Sequence, residues 1–190
     1  MPHTSALTGT WDIDPAHTRI GFSARHAMVT RVRGAFNEVE GYVYINPEAT
    51  SDAHIEVRVQ LASIDTRNEQ RDEHLRSADF FDVENYPEMI FTASTIDEVE
   101  ENNYVVVGEL SIRGNTQPLT LPLQLTGIER DPFGGLRAGL EGTRRITRKD
   151  WGLEWNTPLD SGGVLVSEKI TLEFEMSLVK RENSEPANER

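Results

Sequence analysis

The chain has 190 residues, and its 32 acidic residues outnumber its 19 basic residues to give a net charge of −13. A chain of this length forms one domain with a sizeable core. The negative charge repels phosphate backbones and anionic lipid surfaces, so we expect no nucleic-acid partner. The absence of cysteine excludes disulfides, thiolate nucleophiles and cysteine-ligated metals.

The two ends of the chain lack the patterns of folded segments. Residues 1–8 and 181–190 are therefore predicted to be disordered tails that flank one domain, residues 9–180. The first residues lack the basic and apolar regions of a secretory signal, so we expect a cytoplasmic protein. No apolar run approaches the roughly 20 residues that span a bilayer, so we expect no stable membrane insertion.

Apolar and polar residues alternate along much of the domain. The alternating segments are residues 18–26, 54–61, 104–112, 119–125 and 169–179. This period of two is typical of strands with one buried and one wet face, which antiparallel sheets tolerate. We therefore predict an all-β, antiparallel fold of about eight strands.

Turn residues and strand lengths favour a barrel. Gly114 and Asn115 are predicted to form a two-residue hairpin turn. The apolar parity shifts between Phe36 and Val39, which predicts a β-bulge, and Pro122 should lie at an edge or a bulge. We expect several strands longer than ten residues, which suits tilted barrel strands, and an eight-stranded barrel is either filled by side chains or holds one small ligand.

One segment interrupts the strand pattern. Residues 67–77 contain good helix formers, and Thr66 with Glu69 fits a capping box. Leu75 is the only large apolar residue of this short predicted helix. The helix is therefore expected to lie on the surface or to cover an opening, with the two phenylalanines that follow it packed beneath.

Several blocks of the sequence resemble the YceI-like family in order and spacing. They are WDIDPAHTRIGFSARH, VRGAFNEVEG, IDTRNEQRDEHLRSADFFDVENYPEMIF, VVGELSIRGNTQPLTLPL and ITRKDWG. The resemblance runs from about Thr10 to Val179, and its most specific part is RDEHLRSADFFDVENYPEMIF.

This resemblance implies an extended, eight-stranded, lipocalin-like barrel, often dimeric, that binds a polyisoprenoid lipid such as a prenylated quinone precursor in an apolar pore. We therefore expect a non-catalytic homodimer that binds, stores or transports a long isoprenoid-type lipid and needs no other cofactor. Many family members carry a secretion signal, whereas no such signal is evident in this sequence.

The candidate ligand contacts are apolar side chains and one histidine. They are Ile20, Phe22, His26, Phe36, Phe80, Phe81, Met89, Phe91, Leu110, Trp151 and Phe174. Aromatic and methionine side chains offer large, adaptable apolar surfaces. The alternative is that they only fill the core, as most buried aromatic residues do.

His26 and Glu168 are polar, but their positions in the alternating pattern predict that they point inward. His26 could contact a ligand headgroup, or it could be a core histidine bonded to a neighbouring strand or carboxylate. Glu168 could pair with Arg148 or Arg25. The alternative, which we favour, is an exposed position at the barrel rim.

The arginines around the helix also allow two interpretations. Arg67, Arg71 and Arg76 could hold a diphosphate or phenol head, and the favoured alternative is a solvated face paired with nearby acidic residues. Trp151 and Trp155 could guard one mouth of the pore or pack on the outer wall.

Two other classes of function stay open. One is an enzyme acting on a prenylated or oxidised lipid, with His26 and a carboxylate as acid and base. The other is a closed barrel that serves as an interaction module. No histidine spacing matches a known metal motif and no serine lies in a nucleophile elbow, so neither a metal site nor a catalytic residue is predicted.

Overall fold

The computed structural model describes residues 6–160 and 165–182, which form eleven strands in one sheet and one α-helix. The strands are β1 (Gly9–Ile13), β2 (Arg19–His26), β3 (Thr30–Phe36), β4 (Val39–Ile45), β5 (Asp52–Gln60), β6 (Ile64–Asp65), β7 (Glu88–Glu100), β8 (Asn103–Ile112), β9 (Asn115–Arg130), β10 (Leu136–Thr147) and β11 (Lys169–Lys180). The helix is α1 (Glu69–Arg76).

The sheet closes on itself because β1 pairs with β4 on one side and with β11 on the other. The ring runs β1-β4-β5-β7-β8-β9-β10-β11 and back to β1, which makes an eight-stranded antiparallel barrel. Strands β2, β3 and β6 continue β1, β4 and β5 beyond short breaks and extend one end of the wall. The predicted fold, an antiparallel eight-stranded barrel with one short helix, is confirmed.

The breaks between paired strands have local causes. After β1, the Asp14 carboxylate accepts a hydrogen bond from the Ala16 backbone N–H at 3.0 Å and begins a short 3-10 turn. Between Phe36 and Val39 the chain leaves β3, which pairs with β2 and β6, and enters β4, which pairs with β1 and β5. The parity shift there marks this strand break, so the predicted bulge is wrong.

The predicted hairpin after β8 is present, but its turn is one residue earlier than expected. Ile112 pairs with Asn115, which leaves Arg113 and Gly114 as the two turn residues, with φ values of 50° and 74°. Two successive positive φ values are typical of the type I′ turn, whose twist matches that of the flanking strands.

The helix begins two residues later than the capping box predicted. Asn68 is the N-cap, and its side chain accepts a hydrogen bond from the Arg71 backbone N–H at 3.0 Å. Thr66 instead donates its backbone N–H and its hydroxyl to the buried Asp72 carboxylate. The predicted cap at Thr66 is therefore wrong, and this residue ties the helix to the preceding loop.

The ordered domain reaches slightly beyond the predicted boundaries. Leu7 is almost fully buried, and its carbonyl accepts a hydrogen bond from Trp11 Nε1 at 3.0 Å. Arg181 makes two hydrogen bonds with the Asp12 carboxylate, at 2.7 and 2.8 Å. Residues 1–5 and 183–190 of the predicted tails lie outside the described residues.

The described part of the chain contains no helix with the length and apolar character needed to cross a membrane.

Candidate ligand-binding site

An apolar cavity of about 100 Å³ lies inside the barrel. Every side chain that lines it is aliphatic, aromatic or a thioether, with the backbone of Gly21 completing the wall. The lining on β11 extends from Leu172 to Leu178, a distance of about 20 Å along an extended strand. The cavity therefore follows the barrel wall and offers no hydrogen-bonding side chain to its contents.

The cavity is smaller than the roughly 300–1,000 Å³ of most small-molecule pockets. Met89, Met176, Phe36 and Phe174 are among its lining residues. Methionine has three rotatable bonds and adapts its shape easily. A ligand of more than a few carbons therefore requires such side chains to change rotamer.

Six of the eleven predicted ligand contacts line this cavity. They are Ile20, Phe36, Met89, Phe91, Leu110 and Phe174. Their alternating positions on five different strands bring them to one interior surface. Their contact with a ligand stays a prediction.

Two other predicted contacts lie against the cavity wall, outside its lining. The ring of Phe22 is 5.6 Å from that of Phe36, and Phe81 meets Phe36 edge-on at 5.8 Å. This aromatic cluster covers the end of the cavity where α1 and the 3-10 turn Arg148–Trp151 lie, which we call the helix end.

Phe80 and Trp151 also close the helix end and do not line the cavity. Phe80 is buried against His74 and Trp155, with ring centroids 5.2 and 5.4 Å away. Trp151 is buried, and its Nε1 donates to the Leu110 carbonyl at 2.8 Å. Trp155 packs in the same cluster, so the two tryptophans cover this end of the pore and do not lie on the outer barrel wall.

His26 does not have the predicted inward position. Its side chain is exposed, and no side-chain hydrogen bond to it occurs within the described residues. The pairing of β2 with β11 ends at Ser23 opposite Thr171, so the last residues of β2 extend past the cavity. The expected inward orientation is therefore wrong.

Glu168 lies at the rim, as the favoured interpretation predicted. It is exposed and pairs with Lys149 at 2.7 Å, and it forms no ion pair with Arg148 or Arg25. The hydrogen bond and charge of Lys149 lower the pKa of the Glu168 carboxyl.

The arginines around α1 act mainly on backbone atoms. Arg71 donates to the Thr66 carbonyl at 2.6 Å, and Arg76 donates to the Ala62 carbonyl at 3.2 Å. They therefore tie the helix to the loop before it, which differs from both the headgroup site and the acidic pairing considered above. Arg67 is exposed.

Arg148 is a buried cation whose role the sequence pattern did not reveal. Its guanidinium donates to the carbonyls of Ser167 at 2.9 Å, Leu153 at 2.6 Å and Val166 at 3.4 Å, and it lies 5.9 Å from the centre of the Phe80 ring. Burial lowers the pKa of Arg148. The side chain holds together the segments that cover the helix end.

A polar pair lies near the opposite end of the barrel. Tyr104 is almost fully buried, and it pairs across strands with Glu98. Burial, followed by the nearby Glu98 carboxylate, raises the pKa of Tyr104 to about 12. Among the described residues, neither Tyr104 Oη nor Glu98 Oε2 has a hydrogen-bond partner of good geometry.

The remaining cavity residues are mostly aliphatic residues that were not selected as candidates. Val57, Val106, Leu121 and Leu172 are examples. Their positions in the alternating segments could have identified them, because alternation marks every inward residue, whether large or small. The candidates were instead chosen mainly for large aromatic and methionine side chains. Within residues 6–160 and 165–182, no group of three or more acidic or histidine side chains could hold a metal ion.

A closed antiparallel barrel around an apolar cavity defines a lipocalin-like binding barrel. The chain belongs to the YceI-like domain family, which matches residues 11–178.

Relatives and solved structures agree with this assignment. A UPF0312 protein from Photorhabdus laumondii is 37% identical over 150 residues, which cover 78% of each chain. The structure of BcnA from Burkholderia cenocepacia matches 87% of this chain and 99% of its own, with a TM-score of 0.76 and 21% identity. A polyisoprenoid-binding domain from Saccharophagus degradans matches 90% of this chain and 98% of its own, with a TM-score of 0.69 and 15% identity. These two structures show that the chain shares their fold.

Proposed function

We propose that this protein is a non-catalytic carrier or store for a long apolar lipid of isoprenoid type, held in the barrel interior. The observation that carries the proposal is the cavity itself, whose lining side chains are all apolar. The burial of each CH₂ group of a lipid tail contributes about 0.8 kcal/mol, whereas a charged or strongly polar ligand would lose its hydration without compensation.

The comparisons support this choice of ligand class. A solved domain with the same fold is a polyisoprenoid-binding domain, and this chain belongs to the same type of barrel. We propose that the protein needs no cofactor other than the bound lipid. We retain the expected homodimer and the cytoplasmic location as predictions, which sedimentation of the purified protein and fractionation of its host cells test.

A matched pair of valines tests whether the tail occupies the interior. Val106 lines the cavity and is 1% exposed, whereas its neighbour Val107 points outward and is 48% exposed. Replacement of Val106 by phenylalanine fills part of the cavity, so Val106→Phe should weaken farnesol binding at least about tenfold. Val107→Phe adds the same ring to the outside and should bind farnesol like the wild type.

Binding is measured by displacement of the neutral fluorescent probe N-phenylnaphthylamine, and thermal unfolding of both variants verifies that they are folded. Equal farnesol affinity in the two folded variants would mean that the tail does not lie in the barrel interior.

A further inference from the structure

Strands β9 and β10 pair along only part of their length. Their ladder ends at Gln124 opposite Glu141. Beyond this point, residues 115–123 pair with β8 and residues 142–147 pair with β11, but no ladder pair joins the two segments in the described chain. We call the boundary between these segments the seam. At about 3.3 Å per residue, the seam is about 20 Å long.

Two residues explain why the ladder ends here. Pro122 is exposed and has no N–H to donate to β10. At Gly142, an added Cβ would lie only 2.2 Å from the Pro122 carbonyl oxygen. The two backbones therefore touch at this level, which lies beyond the last ladder pair, and the contact depends on glycine.

The exposure of Arg144 indicates that solvent reaches the inner face at the seam. Arg144 pairs directly with Leu172, a cavity-lining residue, and opposed residues of an antiparallel pair share one face. Arg144 is nevertheless exposed, and its guanidinium has no hydrogen-bond or ion-pair partner among the described residues. A closed wall would bury an inward arginine at a large free-energy penalty.

The outer surface of the seam adjoins the cavity. Leu123 and Phe174 line both the internal cavity and an outer groove that also includes Pro122, Gly142 and Thr143. Single side chains therefore separate the cavity from solvent at this place.

Each end of the barrel is closed by a buried tryptophan. At one end Trp11 is fully buried and bonded to Leu7. At the helix end Trp151 is buried and bonded to Leu110. Opening either end would break a buried hydrogen bond and expose an indole ring. Beside the helix end the seam is held by Asn115 and Gln117, which donate to the carbonyls of Trp151 and Asp150 at 2.9 and 3.1 Å. Farther along, no ladder pair joins residues 118–123 to residues 142–147 in the described chain.

We propose that the apolar ligand enters and leaves the cavity sideways, through the seam between β9 and β10, and this inference rests on the proposed function. The ligand class is an uncharged one. The outer groove carries Glu141, Glu173 and Glu175, and only Glu173 among them has an ion-pair partner in the described residues. These carboxylates would repel an anionic headgroup.

A reversible cross-link tests the portal. Continuation of the register places Thr143 opposite Pro122, and both are exposed on the outer face. Because the chain has no cysteine, the two cysteines of the double variant Pro122→Cys with Thr143→Cys are the only thiols of that protein. Its oxidation, verified by a free-thiol assay, would fasten the seam. The control is Thr92→Cys with Glu109→Cys, an exposed ladder pair that joins β7 to β8 outside the seam.

The readout is the rate of N-phenylnaphthylamine uptake in stopped-flow fluorescence. Oxidation of the seam variant should slow uptake at least about tenfold relative to its reduced form, and oxidation of the control should leave the rate unchanged. Equal rates in the oxidised and reduced seam variant would overturn the portal while leaving the proposed function intact. A wild-type protein that takes up neither this probe nor farnesol would overturn both.

A second variant moves the rate in the opposite direction. The methyl group of Gly142→Ala must push Pro122 away and loosen the seam, so uptake should become faster. Gly127→Ala lies on the same strand pair, where an added Cβ meets nothing within 4 Å, and should behave like the wild type. Unchanged uptake in folded Gly142→Ala would count against the portal.

Discussion

At the scale of single residues, the cavity wall is apolar and the buried polar groups lie beside it. Arg148 and Tyr104 are the largest of these groups, at opposite ends of the barrel. Each is accompanied by a pKa shift whose first cause is burial. Arg148 holds together the segments that cover the helix end, and Tyr104 pairs across strands with Glu98 near the opposite end.

The raised pKa of Tyr104 predicts a loss of stability at alkaline pH. The folded protein holds this proton up to about pH 12, whereas an unfolded chain releases it near pH 10. The associated stability is complete below pH 10 and is lost as the pH rises toward 12, by an amount of the order of 2 kcal/mol. Urea unfolding across this range measures it.

Tyr104→Phe is the control for this alkaline effect. It removes the titrating hydroxyl, so its unfolding free energy should fall less steeply than that of the wild type between pH 10 and 12. Parallel curves for the two proteins would show that Tyr104 does not titrate in this way.

The candidate residues show which part of the site could be predicted from sequence. Leu110, which lies in an alternating segment, lines the cavity as parity indicates, and so do Met89 and Phe91, which were selected by residue type. Prediction was poorer at the strand ends. His26 has the inward parity, but β2 has already passed the cavity there, and parity alone does not indicate how far a barrel extends.

At the scale of elements, Arg148 joins the turn after β10 to the segment before β11. Lysine has one ammonium group and cannot reach all three carbonyls that the guanidinium contacts. Arg148→Lys should therefore lower the unfolding free energy by about 2 to 4 kcal/mol. Arg145→Lys is the matched control because Arg145 is exposed on β10, three residues before Arg148, and it should change stability little.

Urea unfolding of the two lysine variants measures this difference, and hydrogen exchange should show faster exchange in residues 165–168 of Arg148→Lys. Equal stability of the two variants would mean that Arg148 does not hold these segments together.

The elements themselves were predictable, and their ends less so. The hairpin after β8 and the helix before β7 are present, but the turn is at Arg113 and Gly114 and the cap is Asn68. At each of these places more than one residue could form the turn or cap the helix. The register of β8 with β9 fixes the turn, and the bonds of Thr66 to the buried Asp72 leave Asn68 as the cap. Such long-range contacts are not visible in a local sequence pattern.

At the scale of the whole molecule, ring closure gives the alternating faces a common interior. The pairing of β1 with β11 joins residues near the two ends of the chain, and no local pattern specifies it. Alternation predicted that the inner faces are apolar, whereas the resemblance to a family was needed to predict that the interior holds a ligand. The volume of the cavity could not be inferred from either.

The central claim is that an apolar tail occupies the barrel, and a length series of isoprenoid alcohols tests it most directly. Each additional carbon that enters contributes about 0.8 kcal/mol before losses on association. The dissociation constant, measured by displacement of N-phenylnaphthylamine, should therefore fall at least about tenfold from geraniol to farnesol and then level off once the cavity is full. A flat series, with equal affinity for the short and long alcohols, would contradict the account.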